Sequence, residues 1–139
     1  MIAAPALALT LAFMTTPAEL AARPGAAAVL DVRTREEWNG ATPYFESRGA
    51  HIPGAVHLEW KELLDTTGRL DPEAARAKLR TAGLDPSKPV ITYCTAGVRA
   101  AEAWVILRAL GYSDVRNYDG SWYEWSADDR RPVHKETAP

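Results

Sequence analysis

The sequence predicts an α/β domain in which a central parallel sheet is flanked by helices. Short apolar runs rich in β-branched residues alternate with segments of helical spacing, a pattern typical of parallel strands joined by helical crossovers. The clearest pair is a strand over Val90–Tyr93 followed by a helix from Val98 to Leu110. In this helix the apolar residues recur at helical spacing, at Val98, Ala101, Val105, Leu107 or Ala109, and Leu110. Because ligands bind beyond the carboxyl ends of such strands, residues that follow a strand are the candidates for a site.

Size and composition indicate one domain without a nucleic-acid partner. The 139 residues are 47% hydrophobic and 24% charged, with a net charge of −2, which is ordinary for a globular domain with its own core. Lys and Arg are scattered, so no basic patch for nucleic acid is expected. We expect an apolar leader or edge strand over residues 1–14, a single domain over 15–133 and a tail over 134–139.

The N-terminal segment is apolar but too short to span a membrane as a helix. No Lys or Arg precedes it as in a signal peptide, so we expect a cytoplasmic protein without a membrane partner. A periplasmic or secreted location is the alternative if residues 1–14 belong to a signal peptide. Residues Leu7–Phe13 are interpreted as an edge strand or a leader. Thr16, Pro17 and Glu19 then form a capping box that begins a short helix.

A second strand precedes the first cluster of polar residues. The apolar run Ala26–Arg33 ends in charged residues. This pattern indicates a central strand that brings Asp31 and Arg33 to the ligand crevice at its carboxyl end. Thr34 can then cap a short helix over Arg35–Trp38.

A loop from Asn39 to Ala50 follows, and beyond it a turn and short strand over His51–Leu58. Arg48 either contacts substrate or is solvated, and the sequence leaves both open. His51 either contacts substrate or fixes the turn, and we favour the structural role.

The remaining elements continue the alternation. They are a short helix over Glu59–Leu64, a helix over Pro72–Thr81 capped by Asp71, a strand over Val115–Tyr118, a turn at Asp119–Gly120 and an aromatic helix over Ser121–Trp125. The tail from Asp128 is polar and is expected to be loose.

Cys94, the only cysteine, lies between the predicted strand and the helix that follows. A tight loop with Gly97 before a helix N-terminus forms an anion cradle of backbone amides, which biases a thiol toward the thiolate. Arg99 adds a permanent charge and a fork for a tetrahedral oxyanion. The pattern predicts a cysteine nucleophile acting on a small anionic substrate. The alternative is an inert core cysteine, which would require neither Gly97 nor Arg99.

A single cysteine excludes an internal disulfide. The three histidines, His51, His57 and His134, show no metal-ligand spacing. Neither a metal nor another cofactor is expected.

Four separated motifs identify a family. They are Leu30–Arg33 with Glu36–Gly40, then His51–Ala55, Tyr93–Arg99 and Tyr118–Trp125. Together they resemble the rhodanese family of sulfurtransferases over about residues 16–133. The last motif is most similar to the catalytic C-terminal half of the tandem thiosulfate and 3-mercaptopyruvate sulfurtransferases.

The resemblance implies a three-layer rhodanese-like fold and a sulfurtransferase activity. Cys94 would take a sulfane sulfur from a small anionic donor such as thiosulfate, hold it as a persulfide, and pass it to cyanide or a thiol. The implied substrate-binding residues are Thr95, Ala96, Gly97 and Val98 through their amides, Arg99 through the donor's oxygens, and Arg33 and Arg48. Asp31, His51 and Asp119 are implied as structural support, and Arg33 either braces the loop or touches the substrate.

Departures from the family pattern leave the donor open. Thr95 and Ala96 are neutral where thiosulfate-preferring enzymes carry basic residues, and Glu37 stands where mercaptopyruvate enzymes often place an arginine. In the tandem proteins a leading rhodanese domain covers the site. We therefore expect the crevice here to be open or covered by a homodimer, or a leading domain to have been lost.

Three other functions remain as alternatives. A cysteine-dependent phosphatase of this fold uses Cys-x5-Arg, whereas Cys94 and Arg99 form Cys-x4-Arg, a narrower loop that suits a lone sulfur better than a phosphoryl group. A non-catalytic docking module often lacks the cysteine. A persulfide relay to a partner protein needs the same loop as an enzyme does, so the sequence does not separate the two.

Overall fold

The computed structural model describes residues 13–22 and 25–136. Within them the chain forms one four-stranded parallel sheet in the order β2-β1-β3-β4. The strands are β1 (Ala28–Asp31), β2 (Val56–His57), β3 (Val90–Tyr93) and β4 (Val115–Asn117). The predicted α/β class with a parallel central sheet is confirmed.

The helices connect these strands in the predicted order. They are α1 (Pro17–Ala22), α2 (Arg35–Trp38), a 3-10 helix (Trp60–Leu63), α3 (Pro72–Thr81), α4 (Val98–Ala109) and α5 (Ser121–Ala127). Side chains of Thr34 and Asp71 accept hydrogen bonds from the first backbone amides of α2 and α3, as predicted. No helix in the described part of the chain is both long enough and apolar enough to cross a bilayer.

The sheet separates two apolar layers because side chains alternate between its faces. On one face Leu30, Val90 and Cys94 pack with α3, α4 and the 3-10 helix. On the other face Tyr93 packs with α1 and with α5, whose Trp122 and Trp125 are fully buried. The carboxyl ends of β1 and β3 are level, with Asp31 opposite Tyr93, so residues just beyond them meet at one edge of the sheet.

The helix after Cys94 buries only part of the expected apolar pattern, namely Leu107 and Leu110. Ala100, Ala103 and Leu107 face the core, whereas Val98 and Val105 are 73% and 58% exposed. The helix is apolar on most sides, so spacing alone did not select a face. The small side chains of Ala100 and Ala103 allow the closest approach to the sheet, and this decides the orientation.

The chain termini only partly match expectation. An edge strand or leader was predicted over Leu7–Phe13. All of this segment except Phe13 lies outside the described residues. The capping box is confirmed, since the Glu19 amide donates to the Thr16 hydroxyl and the Thr16 amide donates to the Glu19 carboxylate. At the other end the tail is not loose as far as residue 136, because His134 exchanges two backbone hydrogen bonds with His51.

Truncating Leu107 to alanine should destabilise the fold strongly. Its side chain is fully buried between α4 and the sheet, and such a deletion typically costs about 2–5 kcal/mol of unfolding free energy. The matched control is Val105→Ala on the exposed side of the same helix, where a change within about 0.5 kcal/mol is expected. Urea denaturation measures both, and equal losses would contradict the observed orientation of α4.

Candidate active site

Cys94 begins a tight loop at the carboxyl end of β3 and is 1% exposed. Its sulfur accepts a hydrogen bond from the Gly97 amide at 3.1 Å. Gly97 is also the N-cap of α4, so the sulfur lies at the positive end of a twelve-residue helix. The arrangement stabilises negative charge on the sulfur without a neighbouring base.

Helix α5 fixes the outer side of this loop. The Trp122 and Tyr123 amides donate to the Cys94 and Thr95 carbonyls at 2.9 and 3.0 Å. The Ser121 hydroxyl accepts from the Cys94 amide at 3.1 Å and donates to the Tyr118 carbonyl at 2.7 Å. The carbonyls of Cys94 and Thr95 therefore point toward α5. The Gly97 N–H, farther along the loop, points toward the sulfur.

Gly97 is required by both conformation and space. Its φ is +92°, and a Cβ there would lie 2.7 Å from the Asp119 carbonyl oxygen and 2.8 Å from its carboxylate Oδ1. Asp119, expected as structural support, therefore closes the loop from outside by direct backbone contact.

Arg99 is engaged in a different way from the one expected. Its guanidinium pairs with the Glu37 carboxylate through two hydrogen bonds of 2.7 and 2.9 Å, and also donates to the Thr95 hydroxyl at 2.8 Å. Thr95 in turn donates to Glu37 at 2.7 Å. The charge expected to bind the donor's oxygens is thus neutralised by a carboxylate that is almost fully buried.

The same carboxylate belongs to the capping box of α2. Both the amide and the hydroxyl of Thr34 donate to Glu37 at 3.0 Å. Burial raises the pKa of Glu37, but the hydrogen bonds from Arg99, Thr95 and Thr34 and the charge of Arg99 outweigh burial and hold the pKa at about 2, against an ordinary 4.5. Glu37 is therefore ionised at neutral pH.

Arg33 has a bracing role and does not reach the solvent. It is fully buried, pairs with Asp31 at 2.7 Å and donates to the Ala50 carbonyl at 2.8 Å. Asp31 also accepts a hydrogen bond from the Tyr93 hydroxyl, which joins β1 to β3. Burial opposes the charge on Arg33, but Asp31 raises its pKa overall. These contacts agree with the bracing role expected for Arg33. Its Nη1 has no hydrogen-bond partner in the described part of the chain, and substrate contact stays a prediction.

Arg48 is likewise committed to structure. Its guanidinium donates to the carbonyls of Ser126, Trp125, Asp128 and Arg131 at 2.8–3.3 Å. These carbonyls lie at and just beyond the C-terminus of α5, where a cation is favoured by the helix dipole. Each nitrogen of the Arg48 guanidinium donates to a backbone carbonyl at or beyond this helix end. Substrate binding by Arg48 stays a prediction.

His51 has the structural environment that we favoured. Its ring stacks on Trp38 with centroids 3.3 Å apart, and its Nδ1 lies 3.0 Å from the Trp38 carbonyl oxygen.

The loop over residues 39–50 also lies against the site. The Tyr123 hydroxyl donates to the Tyr44 carbonyl at 2.6 Å, and the Arg99 guanidinium lies 5.9 Å from the centre of the Tyr44 ring.

The surroundings of Cys94 differ from the open crevice expected. The thiol is buried within the single chain. Cover of the crevice by a second copy or by a leading domain stays a prediction. A shallow cavity of about 460 Å³ borders the loop through Ala96, Gly97 and Val98, but Cys94 does not line it. Ala96 and Val98 are exposed there, while Thr95 is buried. Substrate binding through these four residues stays a prediction.

Two residues of the site were missed from the sequence. Glu37 was noted only as a first-turn acid and as a departure from the family, although Thr34-x-x-Glu37 is a capping-box signature that places its carboxylate near the end of β1. Ser121 supports Cys94 with a positive φ of 51°. The Asp119–Gly120 turn gave no local signal for that contact.

The comparisons with known proteins decide the family. The family described as Rhodanese-like domain matches residues 16–128. The chain belongs to this family. Its expected rhodanese-like architecture is therefore confirmed.

Curated relatives carry the name thiosulfate sulfurtransferase. One from Corynebacterium glutamicum is 38% identical over 117 residues, covering 78% of this chain and 38% of that protein. Another from Azotobacter vinelandii is 37% identical over 117 residues, covering 82% of this chain and 43% of that protein. The chain thus spans about two fifths of the length of these relatives.

Solved structures with low sequence identity share the fold. The anaerobic ergothioneine biosynthesis enzyme of Chlorobium limicola, with trimethyl histidine, matches at a TM-score of 0.78 and 23% identity, over 88% of this chain and 28% of that chain. The wild-type EanB structure matches at a TM-score of 0.81 and 24% identity, over 91% and 32%.

Gly97→Ala should destabilise the protein more than an equivalent glycine elsewhere. The matched control is Gly111→Ala, at φ +99° with nothing within 4 Å of a Cβ, where left-handed strain alone costs about 1–2 kcal/mol. Gly97→Ala adds the overlap with Asp119, worth about 1 kcal/mol or more. Denaturant unfolding measures the difference, and equal costs would argue against the close contact.

Replacing Glu37 by glutamine should change how stability depends on pH. Because folding lowers the pKa of Glu37 from 4.5 to about 2, its ionised form contributes stability that is complete above pH 4.5 and is lost as the pH falls toward 2. Wild type should therefore lose more stability across this window than Glu37→Gln. The control is Glu36→Gln, an exposed residue of the same helix, which should follow the wild-type profile. Parallel profiles for wild type and Glu37→Gln would contradict the buried pair.

Proposed function

We propose that this protein is a sulfurtransferase in which Cys94 carries a sulfane sulfur from a thiosulfate-like donor to cyanide or a thiol. The observation that carries the proposal is the placement of the sulfur at the N-terminus of α4, with the Gly97 amide 3.1 Å away. The relatives named thiosulfate sulfurtransferase support the same class of reaction.

The reaction proceeds in two displacements. The Cys94 thiolate attacks the outer sulfur of thiosulfate, the sulfur–sulfur bond breaks, and the bonding electron pair leaves with sulfite. The enzyme then holds a persulfide anion. Cyanide attacks the outer sulfur, thiocyanate leaves, and the electron pair of the broken bond regenerates the thiolate. No proton carrier is needed in either step, which fits a loop whose donors are backbone amides.

The Gly97 amide and the N-terminal end of α4 provide positive potential next to the sulfur. Arg99 is paired with Glu37. A phosphatase must hold three phosphoryl oxygens around its nucleophile, and an arginine paired bidentately with a buried carboxylate is poorly placed for that task. The pair therefore favours sulfur transfer over the phosphatase alternative.

The burial of Cys94 favours a small donor. At 1% exposure the sulfur is reached by a compact anion more readily than by a large one. Thiosulfate presents its reactive sulfur at one end of a small tetrahedral ion and meets this requirement.

The decisive experiment is sulfur transfer from thiosulfate to cyanide, with wild type beside Cys94→Ser. We expect thiocyanate formation by wild type and its complete loss in the variant, because serine cannot form a persulfide. Mass spectrometry of wild type after thiosulfate alone should show one added sulfur on the peptide that holds Cys94. Circular dichroism of both proteins provides the folding control.

Other outcomes distinguish the alternatives. A stable persulfide without transfer to cyanide or small thiols would favour a relay to a partner protein. Absence of a persulfide from both thiosulfate and mercaptopyruvate, with the thiol reduced and the protein folded, would refute the enzyme proposal and favour a docking module. Hydrolysis of an aryl phosphate that depends on Cys94 would favour the phosphatase.

A further inference from the structure

The geometry points to a metal site, outside the candidate active site, formed by His51, His134 and Glu136 for a divalent cation of the zinc class. One ligand atom from each of these side chains lies within 4.8 Å of the other two. No metal-ligand spacing is visible in the sequence, because His51 and His134 are far apart in the chain and only the fold brings them together.

Backbone pairing places the three side chains on one side. His51 and His134 form an antiparallel bridge with reciprocal hydrogen bonds of 2.9 and 2.8 Å, so their side chains project to the same face. Glu136 is two residues after His134, and its Oε1 lies 4.0 Å from His51 Nε2, so its side chain reaches the same face. Lys135, between them, turns the other way and approaches Gly40. The ligands are therefore held by backbone geometry.

The environment of His51 selects the tautomer that a metal requires. Its Nδ1 lies 3.0 Å from the Trp38 carbonyl oxygen, which can only accept, so Nδ1 carries the hydrogen and Nε2 keeps its lone pair. A ring nitrogen tied to a backbone carbonyl is the usual support of a metal-ligating histidine. The Trp38 stack also fixes the plane of the ring.

The free Nε2 faces a carboxylate. Glu136 Oε1 lies 4.0 Å from His51 Nε2, and a neutral nitrogen lone pair beside a carboxylate is stabilised by a cation between them.

The donor set and spacing fit a small borderline cation. Two imidazole nitrogens and one carboxylate are typical zinc ligands, and tetrahedral ligand atoms about 2.0–2.1 Å from zinc lie about 3.3 Å apart. The 4.0 Å separation closes by rotation of Glu136, which is 56% exposed. Three protein ligands leave a position for water. A bound ion would clamp residues 134–136 to the turn at His51.

The test is calorimetric titration of the full-length Cys94→Ser protein with zinc chloride after chelator treatment. Removing the only thiol ensures that zinc bound to Cys94 does not contribute. We expect one zinc per chain and a higher melting temperature with zinc. His134→Ala should weaken binding by about tenfold or more, since even changes around metal ligands cost about 10–100-fold, and Glu136→Gln should also weaken it.

Matched variants make the result decisive. Lys135→Ala, on the opposite face of the same segment, should bind zinc as the parent does. Both His134 and Glu136 are exposed, so their replacement tests the ligands without disturbing the core. The proposal is overturned if the Cys94→Ser protein does not saturate below millimolar zinc, or if His134→Ala binds as tightly as Lys135→Ala. Sulfur transfer does not enter the readout, so the result is independent of the proposed enzyme function.

Discussion

The buried carboxylate of Glu37 is the contact on which the arrangement around Cys94 depends. It accepts hydrogen bonds from Thr34 at the start of α2, from Thr95 in the loop and from Arg99 in α4. One side chain thus joins α2 to the loop after β3 and to the first turn of α4, about sixty residues later in the sequence. Losing either partner of a buried ion pair leaves an uncompensated charge, so the orientation of the loop and the first turn of α4 are coupled to the cap of α2.

Charge around the site is largely used within the protein itself. Two arginines form ion pairs, Arg33 with Asp31 beneath the sheet edge and Arg99 with Glu37 beside the loop. Arg48 donates hydrogen bonds to backbone carbonyls at the C-terminus of α5. The Gly97 amide and the dipole of α4 are directed at the sulfur. Negative charge at that position is stabilised by oriented backbone groups, whose partial charges do not depend on pH.

Local patterns predicted most of the fold, and long-range contacts limited the rest. Val90–Tyr93 and the capped helix Pro72–Thr81 follow from side-chain type and from Asp71, because these signals act within a few residues. Cys94 and Gly97 were identified as a loop for the same reason. The partners of Arg99 and Arg48 were not, since each pairing depends on packing between segments about 60–80 residues apart. The expected apolar positions of α4 were right at Leu107 and Leu110 and wrong at Val98 and Val105, because apolar residues surround the helix.

The parallel pairing of β1 with β3 has a consequence for the order of folding. Leu30 pairs with Thr92 about sixty residues later, and the loop after β3 takes its shape from amides of α5 near the end of the chain. Such non-local contacts form slowly because the intervening chain must be closed first. During synthesis the edge of β1 that pairs with β3 therefore stays unpaired until β3 has been made. The loop around Cys94 takes its final shape only after residues 121–123 have left the ribosome.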